Sequence, residues 1–363
     1  MKRSLIMLLS GVVLLGLAGR QNRMLQQAAA PAVMLPERGL PPVVATVMLA
    51  GFRCIAADIL WLRAADLQDN GSYFELVQLA DLITELEPHF TTVWAVQAWN
   101  MAYNISVMMP DNADRWRWIK SGVALLRDRG IPANANDPYL YSELAFMFTD
   151  KIGNPSIPQS QYYTIQWVQE MMKVLGKSGY PDYDAIRQNP EKLRLLVDEY
   201  KLIPEKMQEI DRLYGPLDWR LPHTHALYWA YLGLQVSISN GRRDRVCERA
   251  LRQTMATLFN SGKLTTSDAG SLFVTSVNFE LLPKVIATFE DALKNAEDDL
   301  PATAYKNFLS GAVRTLAFYN HNEDARKLFD KLHAMFPDAA TARGFDSFVK
   351  HAVPSLPQII TPQ

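Results

Sequence analysis

Along most of the chain, apolar residues recur every three or four positions. The run YNHNEDARKLFDKLHAMFPDA (319–339) shows the pattern whole. Asn320, His321 and Asn322 interrupt the chain, then Ala325, Leu328, Phe329, Leu332, Met335 and Phe336 form one stripe, and Pro337 stops it. The same period, punctuated by Gly, Pro or Asn, predicts helices near 43–68, 72–86, 91–107, 113–129, 137–150, 160–175, 190–200, 204–213, 222–239, 242–260, 266–296, 302–319, 322–335 and 339–351. No stretch alternates with the period of two that a half-buried strand requires. The expected fold class is all-α.

The two ends break the pattern. Lys2 and Arg3 precede the uncharged run SLIMLLSGVVLLGLAG, residues 4–19, and Arg20 closes it. This is the layout of a secretory signal or a signal anchor. Residues 1–23 are read as an uncleaved anchor, a transmembrane helix, because small residues suited to cleavage come only at Ala28, Ala29 and Ala30, well past the apolar run; a cleaved signal is the alternative. Residues 24–42 are an Ala/Pro-rich linker, 43–353 the helical domain and 354–363 a Pro-rich tail. VVATVMLAGF is too short to span, and Arg53 and Asp58 charge its continuation. In a bacterial setting Lys2 and Arg3 stay in the cytoplasm, which gives a single-pass protein of the cytoplasmic membrane with its helical domain on the periplasmic side. Arg20 and Arg23 favour the inverse topology.

Composition changes this picture little and charge somewhat more. With 363 residues, 48% of them hydrophobic, the chain can bury a large core. Formal net charge is -1, of which +4 comes from Lys2, Arg3, Arg20 and Arg23, so the body carries -5. An acidic body argues against nucleic acid as a partner, which needs a concentrated basic face. DRWRWIKSG interleaves Arg115, Arg117 and Lys120 with Trp116 and Trp118, but an amphipathic helix packing Trp116, Ile119 and Val123 accounts for it. Cys54 and Cys247 lack a CxxC or ligand partner; two buried thiols are expected, with a long-range disulfide as the alternative.

No catalytic signature is present. HExxH, GxSxG and a dinucleotide fingerprint are absent, and SGKLTT from Ser261 lacks the upstream glycine and the hydroxyl directly after Lys263 that a phosphate loop needs. The expectation is therefore no catalytic residue, no cofactor and no metal. The densest polar cluster is GPLDWRLPHTHALYWAYLG, with Asp218, Arg220, His223 and His225. An HxH pair on a strand would chelate zinc. Pro222 instead marks a helix start, and residues two apart on a helix point about 200° from each other. Asp218 and Arg220 are expected to fix the loop while Tyr228, Trp229 and Tyr231 pack between helices. The alternative is an envelope enzyme or ligand-binding protein that uses the Asp218–His225 loop, with glycan as its substrate class.

Internal repetition gives the architecture. Aligning Pro88 with Pro337 as the ends of units of about 34 residues places Leu60 over Leu309, Leu67 over Leu316 and Leu76 over Ala325; Trp94 and Ala98 fall where Leu60 and Ala64 stood. Ala325, Phe329 and Pro337 keep the register, and ALYWAYLGLQ matches with Trp229 and Gly233. Over about half its length the chain thus resembles the tetratricopeptide repeat family. The resemblance implies an α-solenoid of stacked antiparallel helix hairpins, with a concave wall of first helices that binds extended peptides or partner helices. By the family's register Trp94 is core, while Asp58, Trp61, Ala65 and Gln68, then Trp99 and Tyr103, then Asn307, Ser310, Arg314 and Phe318 face the groove. Trp61, Gln68, Trp99, Tyr103, Asn307, Arg314 and Phe318 are the candidate partner-binding residues. The family's carboxylate clamp is not reproduced, since Asn100 and Asn104 are out of register. The expected function is that of a membrane-tethered scaffold, not an enzyme, binding protein partners in a bacterial envelope complex for secretion, assembly or transport.

Overall fold

The structure, a computed structural model, describes residues 58–266, 273–296, 298–338, 340–350 and 358–360. The expected anchor 1–23, the linker 24–42 and Cys54 lie outside the described residues, as does most of the tail 354–363. Among the described residues no helix is long and apolar enough to cross a membrane. The chain is mostly helical and divides into two compact units at Pro88 and His89.

In the first unit, helix α1 (58–69) is followed by α2 (Tyr73–Leu86). Between them Ser72 N donates to Leu67 O at 2.8 Å and Gly71 N to Gln68 O at 3.1 Å, with Gly71 at φ 70°, which is how a left-handed glycine satisfies the last carbonyls of a helix. Leu76, Ala80 and Ile83 form the buried stripe of α2.

The second unit opens with α3, which runs through Thr91–Trp99, widens into a π-type turn at Asn100–Ile105 and ends at Ser106–Met108. Helix α4 (Asn112–Ala124) starts where the Asp111 carboxylate accepts from Asp114 N at 2.8 Å, and it too passes into a π-type turn, Leu125–Gly130. It buries Trp116, Ile119 and Val123, while exposed Arg117 pairs with Asp114 at 2.5 Å, so the interleaved Trp and Arg are the two faces of one amphipathic helix. Helix α5 (Pro138–Phe146) is capped by Asp137 and continues through Met147–Ile152, again π-type; α6 is Ser160–Leu175. Shorter helices follow: α7 (Tyr183–Arg187), α8 (Pro190–Arg194, continued by Leu195–Glu199) and α9 (Pro204–Tyr214), two of them begun by a proline at the position where its missing N–H costs nothing.

Helix α10 (Pro222–Ser239) is the centre of this unit. Its buried residues, from Thr224, His225, Leu227 and Tyr228 through Trp229, Tyr231 and Leu234, lie on every side of the helix, and α5, α6, α9 and α11 (Arg245–Ser261) pack around it. Such a helix cannot show one apolar stripe, because up to Leu234 it has no exposed residue and only its last turn, at Gln235 and Ile238, is exposed to solvent. Gly233 is where three helices close up: a Cβ there would meet Cys247 Sγ of α11 and Tyr141 Cβ of α5, each at 2.7 Å. Cys247 is a buried free thiol.

The stretch 266–296 departs from the expected helix. Strands β1 (Lys263–Thr266) and β2 (Phe273–Ser276) pair antiparallel, Thr265 opposite Val274, and β3 (Gln358–Ile360), from the Pro-rich tail, adds antiparallel to β2. A single 3-10 turn, Phe279–Leu281, then leads into α12 (Leu282–Lys294). The β-branched residues Thr265, Thr266, Val274 and Thr275 favour the extended form. Phe273 and Thr275 are buried and alternate with Val274 and Ser276, but four residues are too few for that alternation to stand out from a helical background. Helices α13 (Leu300–Phe318) and α14 (Asn322–Met335) form a hairpin whose turn places Asn320 at φ 63°, and Ala325, Leu328, Phe329 and Leu332 are its buried stripe. Within the expected helix 339–351 the structure has a 3-10 turn, Thr341–Arg343, and the short α15 (Phe345–Val349).

Candidate binding cavity

Trp99 and Tyr103 lie one turn apart on α3, Tyr103 inside its π-type turn. A turn closed by i→i+5 bonds takes more residues than an α turn, so positions four apart come closer to eclipsing. The two rings stack at 4.5 Å with 22° between their planes, and Trp99 also stacks on Phe146 of α5 at 5.4 Å and 7°. Polar contacts repeat the pairing of the same two helices. Trp99 Nε1 donates to Glu143 Oε2 at 2.6 Å, and Tyr103 OH donates to Asp150 Oδ2 at 3.1 Å. Asn154 Nδ2 adds a longer bond to the other oxygen of Asp150 at 3.3 Å, and the Lys151 ammonium sits over the Tyr103 ring at 4.9 Å. Burial shifts these groups in the expected directions. The Tyr103 hydroxyl is pushed up by desolvation, with the Asp150 carboxylate adding to it; burial raises the Glu143 carboxyl against the pull of the indole N–H; burial lowers the Lys151 ammonium against the pull of Asp150.

Beside these rings opens a cavity of about 640 Å³. One wall is the stripe Ser142, Glu143, Phe146, Thr149 and Asp150 of α5, and the facing wall is the stripe Val246, Arg249, Ala250, Gln253, Thr254 and Thr257 of α11. Trp99, His223 and the Asn154–Pro155 turn close it. Phe146 is 42% exposed and Val246 47%, so the apolar part of the cavity is open.

The two histidines of the HxH pair part company. His225 is buried among Phe148, Trp167 and Trp219, and its Nε2 donates to Trp219 O at 2.9 Å. Burial lowers its pKa to about 3, so it is a neutral core residue. His223 turns the other way, into the cavity. Its ring rests on Gly153: a Cβ at that position would lie 2.7 Å from His223 Cε1. Enclosure by protein lowers its pKa to about 4, and the ring makes no hydrogen bond among the described residues. Among the described residues no group of three or more His, Cys, Asp or Glu is placed to hold a metal ion.

The Asp218–Arg220 loop is a clasp. Arg220 grips Asp218 with two bonds, Nε to Oδ1 at 2.9 Å and Nη2 to Oδ2 at 2.5 Å. It also donates to Lys177 O, and from Nη2 to Leu264 O at 2.9 Å, tying the loop after α6 and strand β1 to the entrance of α10. Both side chains are buried, and their donors and acceptors are used internally.

The candidate partner-binding residues fall into separate places. Trp61 is part-buried and Gln68 exposed on α1, in the first unit. In the second unit Trp99 lines the cavity and Tyr103 supports it from behind the Trp99 ring. Asn307 and Phe318 are exposed on α13, and the Arg314 guanidinium lies over the Phe348 ring at 4.8 Å, so α15 already covers part of that helix. None of these three lines the cavity. Phe146 and Arg249 are functional candidates that sequence reasoning passed over, whereas His223 enters there as half of the HxH pair. Arg249 is an exposed guanidinium without an ion pair among the described residues. Comparison of the chain with models of known protein families, with curated proteins and with solved structures finds no match in any of the three.

Proposed function

We propose that the protein is a membrane-tethered helical scaffold of tetratricopeptide type, which binds a partner protein in the Trp99–Phe146 cavity and holds it at the outer face of a bacterial cytoplasmic membrane. The observation that carries this is the cavity itself. Two helices present facing stripes that combine open apolar surface at Phe146 and Val246 with polar groups that are not consumed by the fold, Arg249 and His223. The anchor comes from the sequence, residues 4–19 flanked by basic residues. Trp99 and Tyr103 serve as the rigid back wall, and the contact surface is Phe146. No chemistry is required of the site, and an enzyme built on the Asp218–His225 loop has less support, since that loop's polar groups are committed to one another.

A photo-crosslinking residue at position 146 of the full-length chain, expressed in cells, tests this against the same residue at Leu300, which is 69% exposed away from the cavity. A discrete adduct of one partner from position 146 and none from 300 is expected. Equal or absent adducts from both positions refute the proposal.

A further inference from the structure

Resting on the cavity as a docking site, the partner's chemistry follows from which of its charged groups are already occupied. Glu143 accepts from the Trp99 indole and Asp150 from Tyr103 and Asn154, so oxygens of both carboxylates on the α5 wall are directed at donors of the protein, which are neutral and leave the charges in place. The Lys151 ammonium, over the Tyr103 ring, offsets Asp150. On the α11 wall, the neighbouring basic residues are spent: Arg245 pairs with Asp298 at 3.0 Å, and Glu248 lies within 3.5 Å of Arg252 and 2.6 Å of Arg243. Arg249 has no such partner among the described residues and lines the cavity, with Val246 on its own helix and Phe146 across from it as the open apolar surface. A guanidinium beside apolar surface recognises a carboxylate next to an apolar side chain, because its fork matches two carboxylate oxygens. The α11 wall from residue 246 to 257 is about 16 Å long at ~1.5 Å per residue, the span of an extended peptide of about five residues at ~3.3 Å each.

We propose that the cavity binds an acidic, extended peptide segment, whose carboxylate pairs with Arg249 and whose adjacent apolar side chain packs on Phe146 and Val246. The polar end, with Thr254, Thr257 and the unbonded His223 ring, is left for the segment's backbone amides and carbonyls.

Dye-labelled nonapeptides Ser-Gly-Ser-X-Leu-X-Ser-Gly-Ser, with X as Asp, Asn or Lys, titrated with the full-length protein and read by fluorescence anisotropy, test the assignment. The expected order of affinity is Asp, then Asn, then Lys, with at least a tenfold gap between the extremes. Arg249→Glu should invert the order and Arg249→Gln should flatten it, with circular dichroism confirming that each variant is folded; position 249 is exposed, so neither change disturbs the core. Phe146→Ala should weaken all three peptides by a similar factor. If Phe146→Ala weakens binding but the Arg249 variants leave the order unchanged, selection for acidic segments is wrong while docking at the cavity stands. Tightest binding of the Lys peptide, or no saturable binding of any peptide at ~1 mM, also overturns the assignment, and the crosslink at position 146 then decides the docking proposal by itself.

Discussion

Replacing Trp99 by alanine probes whether the back wall of the cavity holds α3 against α5. The substitution removes two ring stacks, each worth about 0.5–1.5 kcal/mol beyond area burial. It also removes the indole donor to Glu143, a bond to a charged group worth roughly 1.5–3 kcal/mol. Trp99 is 36% exposed, which places the total toward the lower part of the range, about 3 kcal/mol. Trp99→Phe keeps a ring for stacking and loses only the donor, so about 1–2 kcal/mol is expected. Urea denaturation of the full-length protein followed by far-UV circular dichroism measures both, and a double-mutant cycle with Glu143→Gln isolates the indole–carboxylate coupling. A Trp99→Ala variant within ~0.5 kcal/mol of the parent, or a coupling of zero, would mean that the rings merely lie side by side. Trp99 would then be free to act as a partner anchor in its own right.

Ala325 is fully buried in the α13–α14 hairpin, so Ala325→Glu should cost at least ~3 kcal/mol and lower the melting temperature by several degrees. Arg220→Met strands the buried Asp218 carboxylate and should destabilise by about 3–5 kcal/mol in urea, whereas the double change Asp218→Leu with Arg220→Met should recover most of that loss; equal losses would deny that the pair is the cause. For the buried His225 the folded pKa, about 3, lies below the ordinary ~6.5, so between these limits the unfolded chain binds more protons. Stability should therefore be full above pH ~6.5 and fall as pH drops toward 3, by up to ~1.4 kcal/mol per pH unit, and His225→Asn should reduce that slope in urea titrations at pH 7 and 5.

Most helices were legible because their stripes repeat over three turns or more. The residues 322–335 and 160–175 show it, each bounded by the helix that forms. The separation of His223 from His225 followed from helix geometry alone, once Pro222 marked the start of α10. The sheet was not legible: β1 and β2 have four residues each, and β3 pairs with β2 from more than eighty residues away. Nor was the cavity. Trp99 and Tyr103 could be placed on one face by their spacing, but that Phe146, Glu143 and Asp150 meet them depends on how α3 packs on α5, forty-odd residues on. In RRDRVCERALRQ, Arg242, Arg243, Arg245, Arg249 and Arg252 look alike, and Arg242 lies away from the cavity. Only their distances to Glu248, Asp291 and Asp298 leave Arg249 as the one facing the cavity unpaired.

The central placement of α10 has a consequence for biosynthesis. Phe148 and Trp167 finish their packing on His225, which belongs to a helix completed at Ser239, about 70 residues after Trp167. At ~5–20 residues per second the ribosome takes roughly 4–14 s to supply it. During that interval the side of the newly made 91–175 segment that packs on α10 is uncovered, and Phe148 and Trp167 on it are available to any neighbouring nascent chain.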